Sequence, residues 1–167
     1  MQKRKVFVLA LVAMFLCGAN QLWAEEGATA KEVKAKCQEA AKLLSEKGDA
    51  ALPEFNEKGK WDWKDSYVFV YDMDCKIIGH PVMPHLRNKT ALGLKDAKGK
   101  LIGVNFLDIA KTPKGHAWTE YWWPKPNEKE PSLKIAYILK VPGKDMFVGA
   151  GFYGVKSAEE ATKEAGD

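Results

Sequence analysis

Residues 66 to 84, SYVFVYDMDCKIIGHPVMP, constrain the fold more than any other segment of the chain. Tyr67, Phe69 and Tyr71 alternate with two valines, which is the spacing of a β-strand with apolar residues on both faces. A turn follows, and a second short strand returns as far as Pro81, which ends it. The segment therefore predicts a β-hairpin.

A long helix is predicted before this hairpin, and a helix and three strands after it. Thr29 and Glu32 form a capping-box pattern at the start of the first helix, and Gly48 is a natural end for it. The order α-β-β-α-β-β-β predicts one domain of the α+β class. We expect a five-stranded antiparallel sheet with the long N-terminal helix on one face and a connecting helix and loop over the other. The second helix is predicted at LIGVNFLDIAKT, and the last three strands are predicted at HAWTEYWW, LKIAYILKV and MFVGAGFY.

The first 24 residues have the organisation of a secretory signal peptide. A basic start, MQKRK, precedes an uninterrupted apolar run of 14 residues, and Ala24 offers a cleavage position. We therefore expect residues 1–24 to be removed on export, residues 25–156 to form the domain and residues 157–167 to be a polar C-terminal tail. A periplasmic or secreted location is expected, without membrane association after cleavage, because no second apolar run reaches spanning length.

The charge of the chain does not indicate a nucleic-acid partner. The formal net charge of +4 includes three basic residues and no acid within the first 24 residues, so the remaining 143 residues carry a net charge of +1. Their acidic and basic residues are mixed along the chain, as on an ordinary solvated surface.

Export also affects the cysteines. Cys17 lies in the predicted signal peptide, which leaves Cys37 and Cys75 in the exported chain. Two thiols in an oxidising compartment usually pair, so a disulfide is expected. It would close a loop of 38 residues and stabilise the fold by about 3–4 kcal/mol in the chain-entropy model. The alternative is two separate buried thiols.

The chain lacks the residue patterns of common catalytic and metal sites. It has no Gly-x-Ser-x-Gly turn, and its three histidines, at 80, 85 and 116, are scattered without a carboxylate at ligand spacing. We therefore predict no enzymatic activity, no catalytic residue, no metal and no cofactor.

Five motifs occur in order along the exported chain: YDMD from 71, HP at 80 to 81, W-x-x-Y-x-W-P from 118, LKIAY from 133 and VPGKDMFVGAGFY from 141. Together they resemble the extracytoplasmic single Cache domain, a PAS-like sensor fold, over residues 28 to 154. The resemblance implies a pocket for a small organic acid or amino acid between the sheet and the connecting loop and helix. It implies no catalysis, and the sequence shows no transmitter segment. Cys75 departs from the pattern, since the family commonly has glycine in this hairpin turn.

Lys134 is the best candidate cation for an acid, because it interrupts an otherwise apolar strand. A lysine extending to solvent at a sheet edge is the alternative. His80 is either a polar contact for the ligand, with a pKa that allows pH sensitivity, or a structural histidine. Arg87 and Lys89 are second-choice cations. The expected ligand-binding residues are Tyr67, Phe69, Tyr71, His80, Trp118, Tyr121, Trp123, Lys134 and Tyr137.

Two details of this set depend on strand geometry. Tyr137 is three residues from Lys134, so both face one pocket only if the strand is bulged or twisted. Gly149 and Gly151 alternate in the last strand and leave room against the backbone, for which helix packing is the favoured reason.

Two functional hypotheses follow. The first is a soluble periplasmic module that binds a short monocarboxylate, since one cation suits one carboxylate, and presents it to a membrane-bound sensor or transporter. The second is a protein-interaction module with a vestigial pocket, in which the Trp-rich strand and the loop PKPNEKEP contact a partner and the long first helix forms a homodimer. The hypotheses differ in whether Lys134 and His80 converge on a site or lie in a filled core.

Overall fold

A computed structural model describes residues 27 to 166, so the predicted signal peptide at 1–24 lies outside the described residues. These residues include three α-helices, and short 3₁₀ segments cover Gly48–Asn56 and Pro84–Leu86. All strand pairs are antiparallel. The bounds are α1 Ala30–Lys47, β1 Asp62–Trp63, β2 Ser66–Asp72, β3 Ile77–Gly79, α2 Ile102–Lys111, β4 His116–Pro124, β5 Pro131–Lys140, β6 Met146–Phe152 and α3 Ala158–Ala165.

The sheet has six strands in the order β1-β2-β6-β5-β4, and β3 also pairs with β2. The five predicted strands and the α+β class are confirmed. The additional strand, β1, has only two residues, too few for a periodic pattern to predict it. The last strand in the sequence, β6, lies between β2 and β5 at the centre of the sheet.

The start of α1 follows the predicted capping box. The Glu32 N–H donates to Thr29 Oγ1 at 3.3 Å, and the Thr29 N–H donates to Glu32 Oε2 at 2.9 Å. Gly48 ends the helix with a φ of +57°, which is in the region that glycine adopts with least strain. The described helices do not include one with the length and apolar character that a membrane span needs.

Each face of the sheet has its own apolar core. One core lies between α1 and the face that carries Val68, Val70 and Val148. The other lies under α2 and the loop that precedes it, on the face that carries Tyr67, Phe69 and Ile138. This two-sided burial accounts for the strand with two apolar faces.

The predicted polar C-terminal tail, residues 157–167, includes a helix that packs on the rest of the domain. Residues 158 to 165 form α3, which packs against α1 and β4. Ala161 is fully buried, and the Glu164 carboxylate accepts a hydrogen bond from the Ala30 N–H at 3.1 Å. The segment therefore belongs to the domain.

The predicted disulfide is corrected by the structure, in which Cys37 and Cys75 are free, buried thiols. Cys37 lies in the core under α1, where its Sγ is 3.6 Å from the Tyr137 carbonyl oxygen. Cys75 lies in the core on the other face of the sheet. A disulfide needs Cα atoms within about 7 Å of each other, which residues in separate cores do not offer. Cys75 has a φ of +63°, a conformation in which glycine is the least strained residue.

Candidate ligand-binding site

Lys134 reaches across the sheet to Tyr67 because β6 has a glycine between them. Lys134 lies on β5, and its side chain has no exposed surface. A Cβ at Gly151 of β6 would lie only 2.7 Å from Lys134 Cε, so the aliphatic part of the lysine occupies the space above this glycine. The Nζ atom is 3.8 Å from the centre of the Tyr67 ring on β2. Gly151 is therefore what allows a lysine to cross the central strand.

The Lys134 ammonium group has no hydrogen-bond partner among the described residues. Two aromatic rings lie beside it, since the Tyr153 ring centre is also 5.5 Å from Nζ. Burial lowers the pKa of Lys134 to about 7, and the negative charge of Asp65 opposes this change. A buried cation without an acceptor is costly, because it has lost its hydration without a replacement.

His80 is fixed beside the same ring. Its imidazole centre is 4.8 Å from the centre of the Tyr67 ring. The backbone N–H of His80 donates to Asn56 Oδ1 at 3.2 Å, and the backbone N–H of Met83 donates to the ring atom His80 Nδ1 at 3.0 Å. Because Nδ1 accepts, the neutral ring carries its proton on Nε2, which is then a hydrogen-bond donor.

Of the two alternatives for His80, the one with pH sensitivity near neutrality does not agree with its surroundings. Burial lowers the pKa of His80 to about 3, and the charges of Lys134, His85 and Arg87 act in the same direction. His80 is therefore neutral throughout the physiological range. Within this site, burial places the pKa of Lys134 near neutrality instead.

Aromatic rings form the wall next to this polar group. Phe69 stacks on Phe106 of α2 with ring centres 5.4 Å apart, and Phe106 meets the edge of Tyr121 at 5.3 Å. Tyr71 lies 5.4 Å from Phe69. A Cβ at Gly149 would lie 2.4 Å from the Phe69 ring, so this glycine, like Gly151, gives room to a side chain of the sheet itself. The expectation that helix packing explains these glycines is corrected accordingly.

The tyrosines of this face are neutral hydrogen-bonding groups. Burial raises the pKa of Tyr67, Tyr121 and Tyr153 above the ordinary value of a phenol. A hydrogen bond with the Trp123 side chain opposes the rise for Tyr67. The Tyr153 hydroxyl donates to the Pro124 carbonyl at 2.8 Å, which fixes the ring beside Lys134.

The structure brings together seven of the nine predicted residues and places the other two on the opposite face. Tyr137 belongs to the core under α1, and its hydroxyl is 2.9 Å from His116 Nδ1. Trp118 packs against the same core, with its ring centre 5.0 Å from that of Tyr137. β5 has no bulge that would turn Tyr137 toward Lys134. Its residues from Ile135 onward, on both sides of Tyr137, pair with β6 in regular register. We therefore leave Tyr137 and Trp118 out of the candidate site.

The second-choice cations do not join Lys134. Arg87 donates to the Asn56 carbonyl at 3.3 Å and to the Pro84 carbonyl at 3.4 Å, which supports the loop after β3. Lys89 is exposed. Three residues that the sequence reasoning missed contribute to the site: Tyr153, Phe106 and Asp65. Only Tyr153 had a signal, because continued alternation from Gly149 and Gly151 puts it on the same face.

Taken together, an antiparallel sheet covered by a long helix on one face, with a buried polar group under loop and helix on the other, defines a PAS-like α+β sensor domain. The profile of the Cache domain family matches residues 28–166. The chain belongs to the Cache domain family.

Relatives with known names are receptors and kinases. The methyl-accepting chemotaxis protein McpP of Pseudomonas putida is 28% identical over 89 residues, which are 53% of this chain and 16% of that protein. The sensor histidine kinase MctS of Rhizobium johnstonii is 30% identical over 90 residues, which are 54% of this chain and 19% of that protein. The aligned segment thus spans less than one fifth of the length of either relative.

Solved structures of similar fold include a chemotaxis protein and a chemosensory domain. A methyl-accepting chemotaxis protein from Vibrio parahaemolyticus has a TM-score of 0.59 and 25% identity, with 74% of this chain and 86% of that chain covered. A Cache chemosensory domain studied for carboxylic acid recognition has a TM-score of 0.59 and 22% identity, covering 72% of this chain and 86% of that one. At this identity the second likeness shows the fold alone.

Proposed function

We propose that this protein is an exported, periplasmic or secreted sensory module that binds a small organic acid, most specifically a short monocarboxylate, at Lys134. The observation that carries the proposal is the buried ammonium group without a hydrogen-bond acceptor. A carboxylate supplies the missing acceptor and charge, and charge-assisted hydrogen bonds are among the strongest that proteins form.

The surroundings of Lys134 favour a small acid with one carboxylate. His80 offers a neutral N–H donor beside the same Tyr67 ring. The neighbouring aromatic wall, built from Phe69, Phe106 and Tyr121, is apolar and closely packed. A second carboxylate would need a second cation, whereas the nearby Arg87 is engaged with backbone carbonyls. One cation, one donor and apolar walls suit acids such as acetate, propionate, pyruvate or lactate.

Binding at this site is coupled to a local opening. Lys134 has no exposed surface, and Tyr67, Tyr153 and His80 surround its end. A ligand therefore reaches Nζ only when a covering group moves, so the liganded and unliganded domains differ in conformation. Such a difference is what a membrane-bound receptor or transporter would read. The named relatives, a chemoreceptor and a sensor kinase, agree with a partner of that kind, and no catalytic step is proposed.

Thermal unfolding in the presence of short carboxylates tests the proposal. A ligand at about one hundred times its Kd stabilises a protein by about 2.7 kcal/mol, a rise in Tm on the order of 5–10 °C for a domain of this size. Protein purified after export is unfolded and refolded to remove any retained ligand, and is then scanned with acetate, propionate, pyruvate, lactate, two dicarboxylates and a set of amino acids.

Two methionine variants make the test specific. Lys134→Met keeps the apolar part of the side chain and removes the charge. Lys140→Met makes the same change at the exposed end of the same strand. We expect a monocarboxylate to raise the Tm of the wild type and of Lys140→Met but not of Lys134→Met. A carboxylate that stabilises all three proteins equally, or a panel that stabilises none, would contradict the proposed function.

A further inference from the structure

The environment of Lys134 separates the ammonium group from every counter-charge that could satisfy it. The groups that face Lys134 come from each neighbouring element: Tyr67 of β2, Tyr121 of β4, Tyr153 after β6, His80 after β3 and Asp65 between β1 and β2. The three phenols and the imidazole are neutral at physiological pH, as argued above.

Asp65, the one carboxylate in this group, is committed elsewhere. Its Oδ1 atom accepts a hydrogen bond from the Ala28 N–H at 2.7 Å, at the entry to α1. Its charge reaches Lys134 only through space, because Nζ has no hydrogen-bond partner in the described part of the chain. His85 and Arg87 act on the nearby His80 and add positive rather than negative charge to this region. Among the described residues, no anion is therefore in hydrogen-bond contact with the Lys134 ammonium group.

Resting on the proposed function, we propose that the site takes up its carboxylate together with one proton, so that the species it senses is in effect the undissociated acid. The proton resides on Lys134 Nζ, and the carboxylate becomes its counter-ion. The pair enters the buried site without net charge, which avoids the free-energy cost of enclosing either ion alone. The lowered pKa of Lys134 supports this, because the unliganded lysine is largely neutral above pH 7.

The proposal has a quantitative consequence for binding. With the pKa of unliganded Lys134 at about 7, binding takes up about 0.9 proton at pH 8 and about 0.1 proton at pH 6. The apparent Kd for the carboxylate then rises up to tenfold for each pH unit above 7. Ionisation of a bound carboxylate ligand would not produce this dependence, since short carboxylic acids are almost fully ionised above about pH 6.

Isothermal titration calorimetry of the exported protein tests the inference. Sodium acetate, propionate, pyruvate and lactate are titrated at pH 6 and pH 8, each in two buffers of different ionisation enthalpy. The difference in heat between the buffers gives the number of protons taken up. We expect proton uptake at pH 8 that nearly vanishes at pH 6, and a Kd about tenfold higher at pH 8. Binding with the same Kd and no uptake at both pH values would overturn the inference and leave the proposed function intact.

Variants assign the proton. Lys140→Met should keep both binding and uptake, whereas Lys134→Met should lose both, with circular dichroism used to check that each variant is folded. Equal proton uptake by Lys134→Met would place the proton on another group and overturn the inference. Absence of binding by the wild type for all four acids would instead contradict the proposed function.

Discussion

Replacement of Lys134 by methionine should change how the stability of the unliganded domain depends on pH. The folded protein holds the pKa of Lys134 at about 7, against an ordinary value of 10.5. Between these values the unfolded chain binds more protons than the folded chain does. The free energy of unfolding of the wild type therefore rises with pH across this window. Methionine fills a similar volume and does not titrate, so Lys134→Met lacks this rise.

The size of the effect follows from the same two pKa values. From pH 7 to pH 9 the free energy of unfolding of the wild type rises by about 2 kcal/mol because of Lys134, according to the linkage relation. This corresponds to a relative change in Tm of several degrees for a domain of this size. Below pH 7 the contribution levels off, because both the folded and the unfolded protein then carry a protonated lysine. The variant should therefore be more stable than the wild type at pH 6, and its advantage should shrink as the pH rises.

Urea unfolding at pH 6, 7, 8 and 9 measures this dependence. Groups other than Lys134 titrate in both proteins, so the difference between wild type and variant isolates the lysine. Lys140→Met is the matched control, since it removes an exposed lysine from the same strand and should give a difference that does not vary with pH. If the difference between the wild type and Lys134→Met changed by less than about 0.5 kcal/mol from pH 7 to pH 9, the reasoning about a desolvated lysine would be refuted.

Three further predictions concern the same region and the thiols. Gly151→Ala places a methyl group 2.7 Å from Lys134 Cε, so it should weaken carboxylate binding more than tenfold in calorimetry; unchanged affinity would mean that the lysine has another route to Tyr67. Asp65→Asn keeps an acceptor for the Ala28 N–H but removes the charge that raises the pKa of Lys134, so the pH above which carboxylate affinity declines should move down; an upward move would contradict the assigned sign. Alkylation of the denatured protein without reductant should label both cysteines. If neither cysteine were labelled, the correction of the predicted disulfide would be wrong.

The fold was predictable from the sequence because its main signals are local. Alternation at Tyr67, Phe69 and Tyr71 depends only on the strand period, and the capping box of Thr29 and Glu32 depends on four consecutive residues. Strand order is different, since it depends on which strands pair at long range. The sequence pattern gave no reason to place β6 between β2 and β5, and the two-residue β1 exists only because β2 provides a partner.

Only one aspect of the candidate site was predictable, namely which residues of a single strand share a face of the sheet. Parity separates Lys134 from Tyr137, and the structure places them on opposite faces of the sheet. Parity likewise places Trp118 and Tyr121 on opposite faces of β4. Which of these faces turns toward α1 is decided by the packing of whole layers, so parity alone could not show which of the two residues lies in the site. The cysteine pairing failed for the same reason. Cys37 and Cys75 lie in cores on opposite faces of the sheet. The number of residues between them does not indicate on which face each one packs.

Lys134 indicates a ligand more strongly than the aromatic residues around it do. Aromatic rings stabilise a core whether or not a ligand binds, because they bury a large apolar area. A buried lysine without an acceptor has the opposite effect, since desolvation raises the free energy of the folded state. The fold does not require a charge here, because Ala136 and Ile138 on the same face of β5 are buried and apolar. In the proposed complex, a carboxylate supplies the acceptor and counter-charge that the buried ammonium group lacks, so relief of this unfavourable term contributes to the free energy of binding. Lys134 is thus better explained by a ligand than by the needs of the core.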